Sequence, residues 1–259
     1  MPSSAMPSAI WRLYSVAAIV YERRSVGRIH ASLPRSCRKR RSSIEETMKT
    51  AERRQNLKEI LIALAERAIA RHGLPGIRAR ELAAEAGCSV GAIYNLFADL
   101  DDLILAVNER TLGLIEAELA GIVASSPLGQ QEGTAQAIAQ MVRLALGYLR
   151  FAAAHQRRWR ALFDHRLATG KHLPDWYIDR RQRMFALVEQ PLRGLRPDLQ
   201  PERAVLIARS LFSAVHGVVL LGLEEKIGDI SALELEEQVT MIVSALGRGL
   251  GDDAPEHSI

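Results

Sequence analysis

The residues of this chain with the most to offer a partner lie in thirteen positions, "EAGCSVGAIYNLF", residues 85–97. Ser89, Tyr94 and Asn95 supply a hydroxyl, a phenol and an amide. Between them stand Val90, Gly91 and Ala92, which bury little and carry no charge. Such a helix start has one clear physical use: small residues let the backbone come close to a large rigid surface, and the first-turn amides can face an anion such as phosphate. Helical packing is the other reading, because glycine and alanine also permit close approach of a neighbouring helix. Catalysis is poorly served elsewhere. His165 and His216 could act as a base or a metal ligand, but no Asp, Glu or Cys partner stands at metal-ligand spacing and no G-x-S-x-G nucleophile motif occurs. We therefore expect no catalytic residues, no metal and no cofactor.

These residues need elements to hold them. The composition is 48% hydrophobic and 25% charged, with aromatics at only 5%, and runs of alternating β-branched residues are absent. An all-α protein follows. Leu57, Ile60, Leu61, Leu64, Ala65 and Ala68 recur at three- and four-residue steps and predict an amphipathic helix over 50–71. Arg80 to Ala86 predicts a short helix stopped by Gly87 in the left-handed conformation. Ser89 is a good N-cap for the next helix, and Asp99 for a fourth over 100–124, with Leu103, Val107, Ile115 and Leu119 inward. After the break "SSPLGQQEG", helices are predicted over 134–154, 157–168, 175–194, 201–225 and 231–249. Two short helices joined at a glycine behind a longer one suggest a helix-turn-helix, whose second helix enters the DNA major groove N-terminal residues first.

Charge does not decide the partner. Residues 1–47 hold nine Arg or Lys against three Glu; with a net +4 for the whole chain, the remainder sums to −2. Nucleic-acid binding must then rest on local placement rather than bulk charge. Residues 1–47, rich in Ser, Arg and Pro, are expected to be a disordered basic extension. Three readings stand for them: a DNA-binding arm through "RSCRKRRSS", an organellar targeting peptide, or simply a disordered tail or a translation start placed too early, Met48 being a natural start for the helix that follows. Cys37 and Cys88 give no disulfide framework, as expected for a cytoplasmic protein. The longest strongly apolar run, Leu211 to Leu223, is interrupted by His216 and too short to cross a bilayer, so no membrane partner is expected.

The stretch "LAERAIARHGLPGIRARELAAEAGCSVGAIYNLFADLDDLI" resembles the N-terminal DNA-binding domain of the TetR family of bacterial transcriptional repressors. The resemblance covers about 45 residues and holds Gly73, Ala83, Ala86, Gly87, Tyr94 and Phe97 in mutual register. It implies DNA contact by Ser89, Val90, Gly91, Ala92, Tyr94 and Asn95, with Arg78 and Arg80 near the backbone. Tyr94 would meet a phosphate, and Asn95 an adenine edge or a phosphate. Cys88, Ile93 and Phe97 would pack inward. Two departures stand out. Members commonly carry lysine where this chain has Leu100, flanked by Asp99, Asp101 and Asp102, whose carboxylates would repel a DNA backbone. Arg78 replaces the usual Ser or Thr cap of the second helix.

The resemblance further implies a helical C-terminal domain that binds a small-molecule effector and forms a homodimer. "WRALFDHRLATGKHLPDWY" and "LFSAVHGVVLLGLEE" are similar to a subgroup marked by Trp-His-Gly, although here the triplet is Val215-His216-Gly217. Tyr148, Trp159, Phe163, Trp176, Phe212 and His216 are the expected ligand-lining residues. Apolar stripes over 201–249 (Val205, Leu206, Phe212, Val215 and Val219, then Leu235, Val239, Ile242, Val243 and Leu246) predict a four-helix dimer interface. The expected organisation is an extension over 1–47, a helix-turn-helix domain over 48–110 and a ligand-binding and dimerisation domain over 111–252. The expected function is a ligand-responsive regulator, in all expectation a repressor, on a palindromic double-stranded operator. The alternative is a helical-bundle binding protein or enzyme with no DNA role.

Overall fold

The computed structural model describes the backbone of residues 35–125, 133–226 and 228–252, and side chains from Met48 onward. Nine α-helices run through the described residues: α1 Arg35–His72, α2 Ala79–Ala86, α3 Val90–Tyr94, α4 Leu100–Ser125, α5 Thr134–Ala154, α6 Gln156–Asp164, α7 Asp175–Leu195, α8 Pro201–Leu223 and α9 Ala232–Asp252. A short 3-10 turn, Leu74–Gly76, follows α1. The chain divides into two units, Met1–Asn56 and Leu57–Ile259. The first contributes the leading part of α1. All contacts discussed below lie within the second.

The helix ends agree with the punctuation in the sequence, with two differences. The first helix begins at Arg35 rather than at Thr50. Pro34 precedes it and neither Gly nor Pro interrupts residues 35–72, so nothing breaks it. The disorder expected across residues 1–47 therefore does not extend over 35–47; residues 1–34 lie outside the described residues. The sixth helix stops at Asp164 instead of running to 168. There His165 is extended, its ring pairs with Asp101 (3.0 Å), and the Ala168 N–H donates to the same carboxylate (3.2 Å). A carboxylate on α4 takes a donor that a longer helix would have used.

Two apolar cores lie along α4. The smaller gathers Leu61, Leu64 and Ala65 of α1, Leu82 and Ala83 of α2, Ile93 and Phe97, and Leu103 and Val107 of α4. Ile69 joins them, while Ile60, expected on the inward face, is half exposed. The larger core packs α5 against α4, α7 and α9, with α8 between α7 and α9; Leu112, Ile115 and Leu119 of α4 reach into it. The boundary expected at residue 110 thus falls inside a helix that both cores share. Burying a large apolar side chain is worth roughly 1.5–3 kcal/mol, so the larger core, which buries about twice as many residues as the smaller one, is the main source of stability.

Candidate nucleic-acid interface and ligand cavity

The helix-turn-helix is built by its glycine. Gly87 takes φ 65°, ψ 33° at the end of α2. Its N–H donates to Ala84 O (3.2 Å) and the Cys88 N–H reaches back to Ala83 O (3.0 Å), the paired bonds that close a helix on a left-handed residue. Ser89 then caps α3, its Oγ accepting from the Ala92 N–H at 3.2 Å. Only five residues are helical, but the chain continues tightly: the Leu96 and Phe97 N–H groups both donate to Ile93 O at 2.9 Å.

Burial sorts this stretch into two faces. Ile93 and Phe97 are buried and Cys88 half-buried, as the packing role expected of them requires. Ser89, Gly91, Tyr94 and Asn95 are exposed, with Val90 and Ala92 half-buried beside them. Tyr94 keeps 48% of its surface open, unusual for an aromatic residue beside a core. A Cβ added at Gly91 would meet nothing closer than Ser89 Oγ, 3.8 Å away. Interior packing therefore gives no reason for this glycine. Arg78 and Arg80 are exposed as well, and Arg78 Nη1 donates to Glu81 Oε1 at 2.9 Å. That exposed pair is worth little and can be exchanged for a phosphate.

The three carboxylates at the head of α4 are engaged within the fold. Asp99 Oδ1 caps the helix by accepting from the Asp102 N–H (3.1 Å), and Asp102 Oδ2 accepts from the Ala98 N–H (3.0 Å). Lys171 pairs with Asp99 and lies 3.3 Å from Asp102 Oδ1 and 3.9 Å from Asp101 Oδ2. The Lys171 ammonium beside Asp99, and the His165 ring beside Asp101, hold both carboxyls below the usual carboxylate range. The repulsion expected from a bare acidic run is correspondingly offset. His165 and Lys171 are functional neighbours that sequence reading missed. They stand more than sixty residues from their partners, and no periodicity signals such a contact.

At the edge of the larger core, five of the six expected ligand-lining residues come together: Tyr148 and Trp159 belong to it, Phe212 packs against it, His216 is half-buried and Phe163 is exposed. Trp159 Nε1–H donates to Tyr148 Oη (2.8 Å), and Tyr148 lies 2.9 Å from His216 Nδ1. An indole nitrogen only donates, so the phenol oxygen accepts from it, and the assignment that leaves no hydroxyl proton unpaired has the Tyr148 O–H donating to Nδ1. His216 is thereby assigned as neutral with its proton on Nε2, in keeping with burial, which lowers its pKa. Burial likewise raises the Tyr148 pKa. Phe163 lies 4.1 Å from the His216 ring, and Phe212 5.3 Å from the Tyr148 ring. Trp176 does not join them: it sits 46% exposed on α7, edge-on to Tyr177, and Tyr177 is the aromatic of that first turn which is buried. Trp159, wholly buried, donates to Tyr148 from behind, and neither it nor His216 lines either of the two cavities beside them.

Two cavities adjoin this cluster, both walled by Met184, Phe185 and Phe212. One, about 50 Å³, is almost entirely apolar and includes Tyr148, Met141 and Leu144. The other, about 180 Å³, includes Phe163, Tyr177, His165 and Asn108. Among the described residues no group of three or more His, Cys, Asp or Glu is gathered as a metal site would need.

The stripes of α8 and α9 divide. Val215, Val219, Leu235, Val239 and Val243 turn into the core of their own chain. What they leave outside is Leu206, Leu221, Leu233, Met241 and Leu246. The whole of α8 is, by length and composition, apolar enough to cross a membrane, contrary to the expectation from its second half alone. One side of it, Ala204, Ala208, Leu211, Val215, Val219 and Gly222, packs inside the bundle.

A capped reading helix on a three-helix unit, fused through a long helix to a bundle with an internal cavity, defines a DNA-binding regulator with a separate sensing domain. Residues 61–107 match the profile of the tetR family of bacterial regulatory proteins, and residues 141–246 that of the tetracyclin repressor-like C-terminal domain. The chain belongs to the TetR family of bacterial transcriptional regulators. Solved structures agree in fold. A protein of unknown function from Rhodococcus sp. RHA1 is 25% identical (TM-score 0.59), over 75% of this chain and 95% of that one. A TetR variant from Acinetobacter baumannii AYE in complex with minocycline is 17% identical (TM-score 0.51), over 74% and 94%. SCO4454, a TetR-family transcriptional regulator from Streptomyces coelicolor, is 17% identical (TM-score 0.51), over 76% and 97%. None of the curated proteins compared with the chain matches it.

Proposed function

We propose that this DNA-binding regulator acts in the cytoplasm as a homodimeric repressor, released from a palindromic operator by a small molecule bound in its C-terminal bundle. The observation that carries the DNA half is the first turn of α3, where Ser89 and Gly91 are exposed, Val90 and Ala92 are half-buried beside them, and no interior neighbour explains the glycine. Docked in a major groove, Gly91 and Ala92 admit the backbone. Tyr94 and Asn95 reach the flanking phosphates or base edges, while Arg78 and Arg80 add charge to the backbone contact. A single five-residue helix reads too little sequence to be selective, so a symmetric pair on two half-sites is what the physics requires.

The dimer is supported by the apolar residues that α8 and α9 leave outside the core. Leu206 and Met241 are more than half exposed on these two helices, and apolar side chains left open there are what a partner's α8 and α9 would cover. The sensing half is supported by the cavities beside Tyr148 and Phe163. A ligand there would push on α4, which both cores share and whose head is tied to the α6–α7 connection through Asp101–His165 and the Lys171 pairs. Shifting the dimer between two spacings of its reading helices needs only differential affinity of the ligand for the two states.

Selection of bound duplexes from a random pool tests this reading. A palindrome is expected, bound by two chains, with affinity that falls steeply as salt rises. A non-palindromic preference bound by one chain, or a flat salt response, overturns it.

A further inference from the structure

We propose that the cavity beside α4 takes a small, uncharged aromatic molecule carrying one N–H or O–H donor, and that Asn108 reads that donor. The inference rests on the effector reading above and narrows it to a ligand class. Asn108 lies on α4 and is 1% exposed. Its side-chain nitrogen donates to Ala161 O at 3.2 Å. A backbone carbonyl only accepts, so this bond fixes which end of the amide is nitrogen and leaves Oδ1 as the free end. Oδ1 has no protein partner, is fully buried, and belongs to a residue lining the cavity. Buried polar groups nearly always find a partner, and an acceptor held without one calls for a donor from something other than the chain.

The remaining walls say what else the molecule is. Phe163, Phe185, Phe212, Leu105, Leu112 and Met184 are apolar and in part aromatic. The volume of about 180 Å³ is close to the roughly 150 Å³ of an apolar cavity that binds benzene, so one ring or a compact fused pair fits. Fixed charge is spoken for or in water. The His165 ring is paired with Asp101 at 3.0 Å, burial keeps Tyr177 in its neutral form, and Arg181 is exposed at the rim. An ionised ligand would lose its hydration among these side chains without gaining a buried counter-charge.

Indole and indene have the same shape and differ by an N–H in place of a methylene. Calorimetric titration of the full chain with each, with benzoate as the charged probe, tests the inference. Indole is expected to bind at least about tenfold more tightly than indene, since indene leaves the Asn108 carbonyl unpaired. Asn108→Leu should abolish that preference by weakening indole while leaving indene bound, and its melting curve reports whether the variant is folded. Should it fail to fold, the indole-to-indene ratio on the parent chain still decides. Equal binding of the two, or tightest binding of benzoate, overturns the inference. If neither aromatic binds while the protein still holds its selected operator, the ligand class is wrong and the regulator reading stands. If indole is preferred but no operator is bound, the cavity assignment stands and the regulator reading falls.

Discussion

Two glycines, both in helices, show how differently the two halves of this molecule use the same residue. Gly91 opens the reading helix, is exposed, and would give an added Cβ nothing closer than 3.8 Å to meet. Gly222 closes α8, is buried, and would place a Cβ 2.5 Å from Cδ1 and 3.0 Å from Cδ2 of Leu235, itself a core residue. The glycine of the bundle is explained by what touches it. That of the reading helix has no such explanation among the described residues, and the function proposed above supplies one, a DNA surface that must come close. On that proposal the small residue serves stability in one region and forgoes it for binding in the other.

The same substitution at both sites tests this contrast, and its largest consequence falls on DNA. Gly91→Leu should melt at or slightly above the parent temperature, since glycine costs about 1 kcal/mol against a good helix former. It should nevertheless lose selective operator binding, a margin of roughly 4 kcal/mol or more, because the new side chain stands in the groove. A binding titration beside a melting curve separates the outcomes. If the variant melts well below the parent, the glycine served interior packing. If it keeps parental affinity, α3 is not the reading helix. Gly222→Leu should do the reverse, lowering stability by roughly 1–3 kcal/mol through overpacking against Leu235. A variant as stable as the parent would mean that α8 and α9 are free to move apart.

Within the reading unit, Tyr94→Phe removes only a hydroxyl. Binding should weaken by about 1 kcal/mol for every sequence alike, the mark of a lost phosphate contact. A loss confined to one base position would instead make Tyr94 a base reader.

The contrast also explains which parts of the molecule were legible in its sequence. Local signals did well: Gly87 takes the left-handed turn and Ser89 and Asp99 cap the helices they precede. Thr134–Ala154 follows its apolar period to the residue. The reading helix was legible for the same reason, since its surface is set by neighbours in sequence. The sensing site was legible only in part. Periodicity places Tyr148, Phe212 and His216 inward, yet it cannot distinguish a wall from a lining: Tyr148 and Phe212 line the two cavities, whereas Trp159 and His216 stand behind them and Trp176 lies at the surface. Nor could it find Asn108, whose one bond is to Ala161, 53 positions away. The α8 and α9 stripes were read as interface because a helix with two apolar sides shows one broad stripe; half of that set is consumed by its own core.

The smallest predicted effect concerns the bundle's polar centre, the counterpart of the exposed Tyr94. His216 accepts from the Tyr148 hydroxyl through Nδ1, and half-burial lowers its pKa below the ordinary 6.5. In the unfolded chain the ring takes up a proton near that ordinary value; in the folded protein it resists until lower pH. Around and just below 6.5 the unfolded state therefore binds more protons, and stability rises with pH. This contribution is fully present above pH 6.5 and is lost progressively as pH falls toward the lowered folded-state value. Protonation would also convert Nδ1 from acceptor to donor and leave the Tyr148 hydroxyl, which already accepts from Trp159, without a partner for its proton. Chemical denaturation at a series of pH values between about 7.5 and 5 should show this slope. His216→Asn places an uncharged acceptor near the position of Nδ1, so it should retain the hydroxyl bond and flatten that part of the profile. An unchanged slope in the variant would assign the pH dependence to another group. A variant that loses stability equally at every pH would show that the ring is held by packing among Phe163, Phe212 and Trp159 more than by its bond to Tyr148.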